Sequence, residues 1–384
     1  MNVIKEFAVS MVRKRHRREF TLIFEIKVAP LPDQRPVYIT GNHKKLGNWE
    51  PGMIALEQES PGVWTGEFSF RKNTQLQYKF TRGSWDTEAV NERGAPFFNH
   101  HLKVVRDQRI RIDIPHWKDT FPANGQPGEG KPEDRITGEV RFHRQMEGDG
   151  LLPRDIIVWL PPGYKTRKNK RYPVLYMHDG QNIFDPVTAY AGTDWEADET
   201  ATRLIKQKKM RDIIIVGIYN TKDRDQEYSL SPKGKLYQHF IVERLKPFID
   251  RTYRTLPGRA HTAIMGSSLG GLVSFLLIWQ YPRIFSLAGC LSPSFVYRRE
   301  QAVKFLKKSP APEEPVRIFM DCGGRGGERL LYRGCKKVLR ILRRKGISPG
   351  KDFQFYYDAK ADHSEAAWAE RLWRHFEFLF PPAE

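Results

Sequence analysis

The run Gly266-Ser267-Ser268-Leu269-Gly270 is a G-x-S-x-G pattern that directly follows the strand-like HTAIM and opens the helix-like LGGLVSFLLIW. A serine between a strand and a helix in this way occupies a nucleophile elbow. The tight turn strains the serine, so the residues two positions to either side must be small, and both are glycine. Such a turn exposes the Ser268 hydroxyl above the carboxyl edge of a sheet. It also sets the Leu269 amide at a helix N-terminus, where it can donate to a developing oxyanion. The chemistry that fits is acyl transfer through a serine ester.

A serine hydroxyl needs a base, and the base needs a carboxylate to orient it. In this kind of site the chain order is serine, acid, histidine. His363, in KADHSEAAWAERL, lies in a loop after the strand-like FQFYYD, whereas His375 falls inside the helical pattern WAERLWRHFEFLF. His363 is therefore the expected base. The acid belongs in VRIFMDCGGRGGERL, where Glu328 follows a glycine-rich turn and Asp321 stands near a strand end; Glu328 is preferred and Asp321 remains the alternative. A second oxyanion donor is expected from the loop in YPVLYMHDGQNIFDP, at the amides of Gly180 and Gln181. Residues 224–228 and 292–297 are candidate pocket walls.

Positioning these groups requires an α/β scaffold, and the pattern from residue 137 onward supplies one. Short, wholly apolar runs at 156–160, 174–177, 213–218, 262–265, 316–320 and 353–357 alternate with helical patterns at 195–206, 236–250, 269–279, 328–345 and 364–380. Strands apolar on both faces belong to a parallel sheet covered by helices, here a doubly wound, mostly parallel one. Upstream the period is two: Phe20, Leu22, Phe24, Ile26 and Val28, then Trp64, Phe68 and Phe70, then Leu76, Tyr78 and Phe80, then Ile110, Ile112 and Ile114. With turn signals between them, these predict a small antiparallel β-sandwich over 18–115. Residues 116–136, rich in Pro, Gly and charge, read as a linker, residues 1–17 as a basic N-terminal segment, and 137–384 as the α/β domain.

Composition narrows the classes. The 384 residues carry a formal net charge of +19, but Lys and Arg are mostly interspersed with Asp and Glu and no nucleic-acid-binding motif accompanies them, so no nucleic acid partner is expected. Three cysteines, Cys290, Cys322 and Cys335, match neither a disulfide framework nor a zinc site and read as buried free thiols. There is no run of roughly 20 apolar residues to span a membrane, and the N-terminus lacks a signal-peptide apolar stretch, so a soluble, cytoplasmic protein is the expectation.

RYPVLYMHDGQNIFD, IIIVGIYNT, LKPFIDRTYRTLP, GSSLGGL and the DHSEAAW loop resemble the signatures of an esterase family of α/β-hydrolases that includes enterochelin-esterase-like, feruloyl-esterase-like and S-formylglutathione-hydrolase-like enzymes. The resemblance runs over residues 137–381. It implies Ser268 as nucleophile and His363 as general base, with the acid just after a glycine turn, at Glu328; GGRGGE departs from that family's usual GTxE-like or GTxD-like pattern. Over residues 18–115, VYITGNHKKLGNWEP, QYKFTRGSWDTEAVNERG and RIRIDI resemble starch-binding carbohydrate-binding modules. That resemblance implies an α-glucan platform at Trp49, Lys79, Trp85 and Asn91. The expected protein is a two-domain serine carboxylic-ester hydrolase acting through an acyl-enzyme, on a small-molecule or carbohydrate ester, with no metal or organic cofactor. The competing expectations are a non-catalytic glucan-binding protein with a degenerate hydrolase domain and an acyltransferase on the same three residues.

Overall fold

The chain's ten N-terminal strands are β1 (Glu19–Val28), β2 (Tyr38–Gly41), β3 (Ile54–Ala55), β4 (Glu57–Ser60), β5 (Val63–Arg71), β6 (Gln75–Thr81), β7 (Ala89–Val90), β8 (His100–Lys103), β9 (Gln108–Ile114) and β10 (His116–Trp117). They come from a computed structural model that describes residues 19–29, 33, 35–90, 96, 97, 99–121 and 135–382. The chain divides into two units between residues 127 and 128. The basic segment 1–17, residues 122–134 of the expected linker and Asn91 lie outside the described residues.

In the N-terminal unit β4-β5-β1-β9 form one sheet and β3-β2-β6-β8 another. Alternation along β1 places Leu22, Phe24 and Ile26 wholly inside, in one core with Ile39, Phe70, Leu76 and Phe80. The pairs are antiparallel apart from β1 with β9, which run parallel. Just past residue 115, His116 and Trp117 still pair with β7, so this stretch belongs to the N-terminal unit.

The second unit is built on eight strands: β11 (Glu139–Gly148), β12 (Leu151–Leu160), β13 (Val174–His178), β14 (Ile214–Ile218), β15 (Thr262–Ser267), β16 (Leu287–Leu291), β17 (Arg317–Gly323) and β18 (Phe353–Asp358). Their order is β11-β12-β14-β13-β15-β16-β17-β18, with the β11-β12 and β12-β14 pairs antiparallel and every other pair parallel. This is the mostly parallel α/β sheet that the apolar runs predict. Its helices are α1 (Ala197–Lys206), α2 (Arg224–Glu227), α3 (Pro232–His239), α4 (Lys246–Thr252), α5 (Leu269–Gln280), α6 (Tyr297–Lys308), α7 (Glu328–Arg344) and α8 (Glu365–Leu379). Two hydrophobic clusters cover the two faces. The helix after β15, α5, buries every residue but Gln280, as a helix apolar all round must.

The single helix expected at 236–250 is differently built. Ser231 caps α3 by accepting the Gly234 amide at 3.0 Å, so the helix starts at Pro232. It then widens into a π turn, Phe240–Leu245, just ahead of Pro247, which has no amide to give to a regular helix. Among the described residues no helix is long and apolar enough to cross a membrane.

Candidate active site

Ser268 joins β15 to α5 at φ 55° and ψ −118°, a conformation that costs a side-chain-bearing residue about 1–3 kcal/mol and has to be held by its surroundings. Its amide donates to the Leu291 carbonyl at 2.9 Å, and its carbonyl accepts the Ser294 amide at 2.9 Å. The adjoining strand end, β16, thus braces the elbow from both sides. A Cβ on Gly266 would stand 2.7 Å from the carbonyl carbon of Gly270, which is why strand and helix can cross this closely only with glycine there.

Ser268 Oγ lies 3.0 Å from His363 Nε2, and His363 Nδ1 lies 2.7 Å from Glu328 Oε1. Serine, imidazole and carboxylate, up to 95 residues apart in the chain, form one hydrogen-bonded line. Ser268 Oγ has a second neighbour, Ser294 Oγ, at 3.1 Å. His363 is partly exposed, with the edge of Trp368 packed at 4.8 Å between ring centroids.

Glu328 is fully buried at the first position of α7. Its Oε2 accepts the Gly323 amide at 2.8 Å and the Cys322 thiol at 2.9 Å, leaving Oε1 for the histidine. Burial pushes this carboxyl up, but the hydrogen bond and charge of His363, with the Cys322 and Ser292 hydrogen bonds, outweigh it and hold the group below its ordinary value. Gly323 and Gly324 are hemmed in: a Cβ would meet the Ala361 carbonyl oxygen at 2.5 Å in the first and the Tyr357 hydroxyl at 2.6 Å in the second.

The other carboxylate in this segment, Asp321, is engaged elsewhere. It is fully buried, pairs with Arg371 at 3.1 Å and His375 at 3.1 Å, and accepts the Ser292 amide at 3.1 Å. Burial raises its carboxyl while His375 and Arg371 pull it below the usual range. The structure brings Glu328, not Asp321, to His363.

Leu269 opens α5 immediately after the serine. Gly180 and Gln181 start a short turn after β13, ahead of its first internal hydrogen bond, from the Asn182 amide to the Asp179 carbonyl at 2.8 Å. The turn adjoins the elbow, since a Cβ on Gly270 would stand 3.2 Å from Asp179 Oδ2. Asp179 holds Arg224 in a two-pronged pair, at 2.7 and 2.8 Å, and accepts from Asn220 at 2.6 Å. This ties the expected pocket wall at 224–228 to the elbow. Glu365, at the start of α8, is buried, and its Oε2 has no hydrogen-bond partner among the described residues. Burial, against its own backbone amide and His363 and with the Asp179 carboxylate, pushes it up to about 7.

Sequence reasoning missed Asp179, Cys322 and Glu365, and placed Ser294 only within the candidate pocket wall at 292–297. Of these only Asp179 carried a signal, the HDG turn after an apolar strand. All three cysteines are buried and free.

In the N-terminal unit the Trp49 and Trp85 rings lie 6.5 Å apart with their planes inclined at 37°, and Trp85 is 39% exposed. Lys79 is buried, with its ammonium 3.1 Å from the Glu88 carboxylate.

A family model described as Putative esterase matches residues 152–379, and one described as Starch binding domain matches residues 20–108. The chain belongs to that esterase family, and its second unit is a carboxylesterase-type hydrolase. An endo-1,4-beta-xylanase/feruloyl esterase of Xylanibacter ruminicola is 28% identical over 333 residues, covering 82% of this chain and 40% of the relative, so this chain spans less than half of that protein. Among solved structures, a ferulic acid esterase has a TM-score of 0.53 at 22% identity, over 63% of this chain and 98% of its own. The enterobactin esterase of Shigella flexneri has a TM-score of 0.55 at 12% identity, over 90% of this chain and 87% of its own. At these identities the two structures bear on the fold alone.

Proposed function

We propose that this protein is a serine esterase that cleaves esters of a carbohydrate through an acyl-enzyme on Ser268, His363 and Glu328. The observation that carries this reading is the line of 3.0 and 2.7 Å hydrogen bonds from Ser268 Oγ through the imidazole to the buried carboxylate. In the acylation step Ser268 Oγ attacks the ester carbonyl while His363 Nε2 takes its proton, and Glu328 stabilises the imidazolium that forms. The amides of Leu269 and of Gly180 or Gln181 hold the tetrahedral oxyanion. His363 then protonates the departing alcohol, and water releases the acid by the reverse steps.

The carbohydrate part of the reading is supported by the starch-binding match and by a relative whose name joins a xylanase to a feruloyl esterase. Trp49 and Trp85 would stack on apolar sugar faces and keep the esterase on an α-glucan. The test is hydrolysis of p-nitrophenyl acetate and butyrate, with fluorophosphonate labelling, by the wild type, Ser268→Ala and His363→Ala. Turnover and labelling that vanish in the variants support the esterase. A wild type that neither turns over nor labels refutes it and leaves a glucan-binding protein.

A further inference from the structure

Away from the serine, the entry to α1 gathers three carboxylates. Asp194 and Asp198 are buried, at 7% and 0% exposure, Glu199 is exposed, and one oxygen of each lies within 4.8 Å of the others. Two of the cluster's oxygens are occupied: Asp194 Oδ2 accepts the Glu196 amide at 3.0 Å and Asp198 Oδ2 the Thr137 amide at 2.5 Å. Glu199 Oε1 meets the Thr137 hydroxyl at 3.4 Å. Asp198 Oδ1, though fully buried, has no hydrogen-bond partner among the described residues.

Acidic residues in the first turn of a helix ordinarily answer the helix dipole from the solvent side, and burial is no part of that role. A carboxylate oxygen sealed from water with no donor facing it is costly to leave so.

We propose that Asp194, Asp198 and Glu199 bind a hard divalent cation, and that Ca2+ is the ion that fits. The donors are all oxygen, the set that Ca2+ and Mg2+ take and softer metals do not favour. Ca2+ accepts flexible sets of oxygen ligands, whereas Mg2+ demands near-ideal octahedral geometry and gives up its waters reluctantly, so three carboxylates from one short segment suit Ca2+ better. The ion gives Asp198 Oδ1 its missing partner and ties the start of α1 to the strand-leading residue Thr137. Trp195 lies between the ligands in the chain, packs on Trp368 at 5.8 Å between centroids, and Trp368 in turn edges His363. The cation therefore braces the wall behind the imidazole.

The test uses the full chain after treatment with a chelator, titrated with Ca2+ by calorimetry and with Tb3+ by luminescence excited through tryptophan. One saturable site is expected, with Tb3+ emission displaced by Ca2+ and weakened in Trp195→Phe. The thermal midpoint should rise by about 5 °C or more at a hundredfold excess over Kd. Asp198→Asn and Glu199→Gln should each abolish the site, and Glu199, being exposed, can be changed without threatening the fold. The proposal is overturned if the wild type binds no Ca2+ at millimolar concentration, or binds it equally well in Glu199→Gln and Asp198→Asn; a proton shared by Asp198 and Glu199 would then account for the cluster.

Discussion

Glu328→Gln should lower kcat by about three to four powers of ten, about 4–5.5 kcal/mol of barrier, and leave the protein folded. The size of the effect follows from how the carboxylate is held. Oε2 accepts the Gly323 amide and the Cys322 thiol, and Oε1 faces His363 Nδ1. A glutamine must keep its oxygen toward the Gly323 amide, so its NH2 group points at Nδ1. The imidazole then carries its proton on Nε2, the nitrogen that has to accept one from Ser268. The side chain is isosteric and fully buried, so the tautomer changes while packing does not. The control is Asp321→Asn, which leaves Arg371 without its buried carboxylate partner. It should cost about 3 kcal/mol of stability and change kcat per folded molecule less than tenfold. Steady-state hydrolysis of p-nitrophenyl butyrate, normalised to folded protein from unfolding curves, separates the two. A Glu328→Gln enzyme within tenfold of the wild type, or an Asp321→Asn enzyme that loses as much as expected for Glu328→Gln, would refute the reasoning.

Glu365, pushed up to about 7 from 4.5, keeps in the folded state a proton that the unfolded chain releases, so stability should fall as pH rises from about 4.5 to 7. Glu365→Gln removes this loss and should be about 3 kcal/mol more stable than the wild type at pH 8 and equal to it at pH 4, as read by denaturant unfolding. Gly266→Ala puts a methyl 2.7 Å from the Gly270 carbonyl carbon, displacing the elbow; hydrolysis should drop about a hundredfold at saturating substrate. Trp85→Ala should weaken retention on insoluble starch roughly ten- to thirtyfold in a pull-down, with hydrolysis of a small soluble ester unchanged.

Much of the scaffold was legible because burial imposes period. Leu22, Phe24 and Ile26 alternate because one face of β1 is sealed, and β13, β14 and β15 are buried throughout and mostly apolar because both faces are covered. Strands that lack such a contrast escaped: β11 is a largely polar edge strand, and β16 is five residues between Ser286 and Ser292 with the small Ala288, Gly289 and Cys290 at its centre. The helix α6 escaped because its sequence, YRREQAVKFLKK, buries only Ala302, Val303 and Leu306. At the site, chain order and loop placement singled out Ser268 and His363. The choice between two carboxylates could not be read locally, since Asp321 is claimed by Arg371 and His375, 50 and 54 residues further on. Ser294 and Cys322 carry no pattern of their own and matter only through which atoms they touch.

The glycine-rich stretch before Glu328 divides into two halves with different tolerances. Gly323 and Gly324 are closed in by Tyr357 at the end of β18 and by Ala359 and Ala361 just after it, whereas a side chain at Gly326 or Gly327 would meet nothing within 4 Å. The carboxylate is anchored by the helix it begins and by the Gly323 amide, and the loop's second half only spans the gap. Evolution is therefore free to rewrite residues 325–327, with Gly326 constrained by its positive φ alone, without moving the acid. Distant relatives are better recognised by a glycine pair that ends a strand and a carboxylate that opens the next helix than by the letters in between.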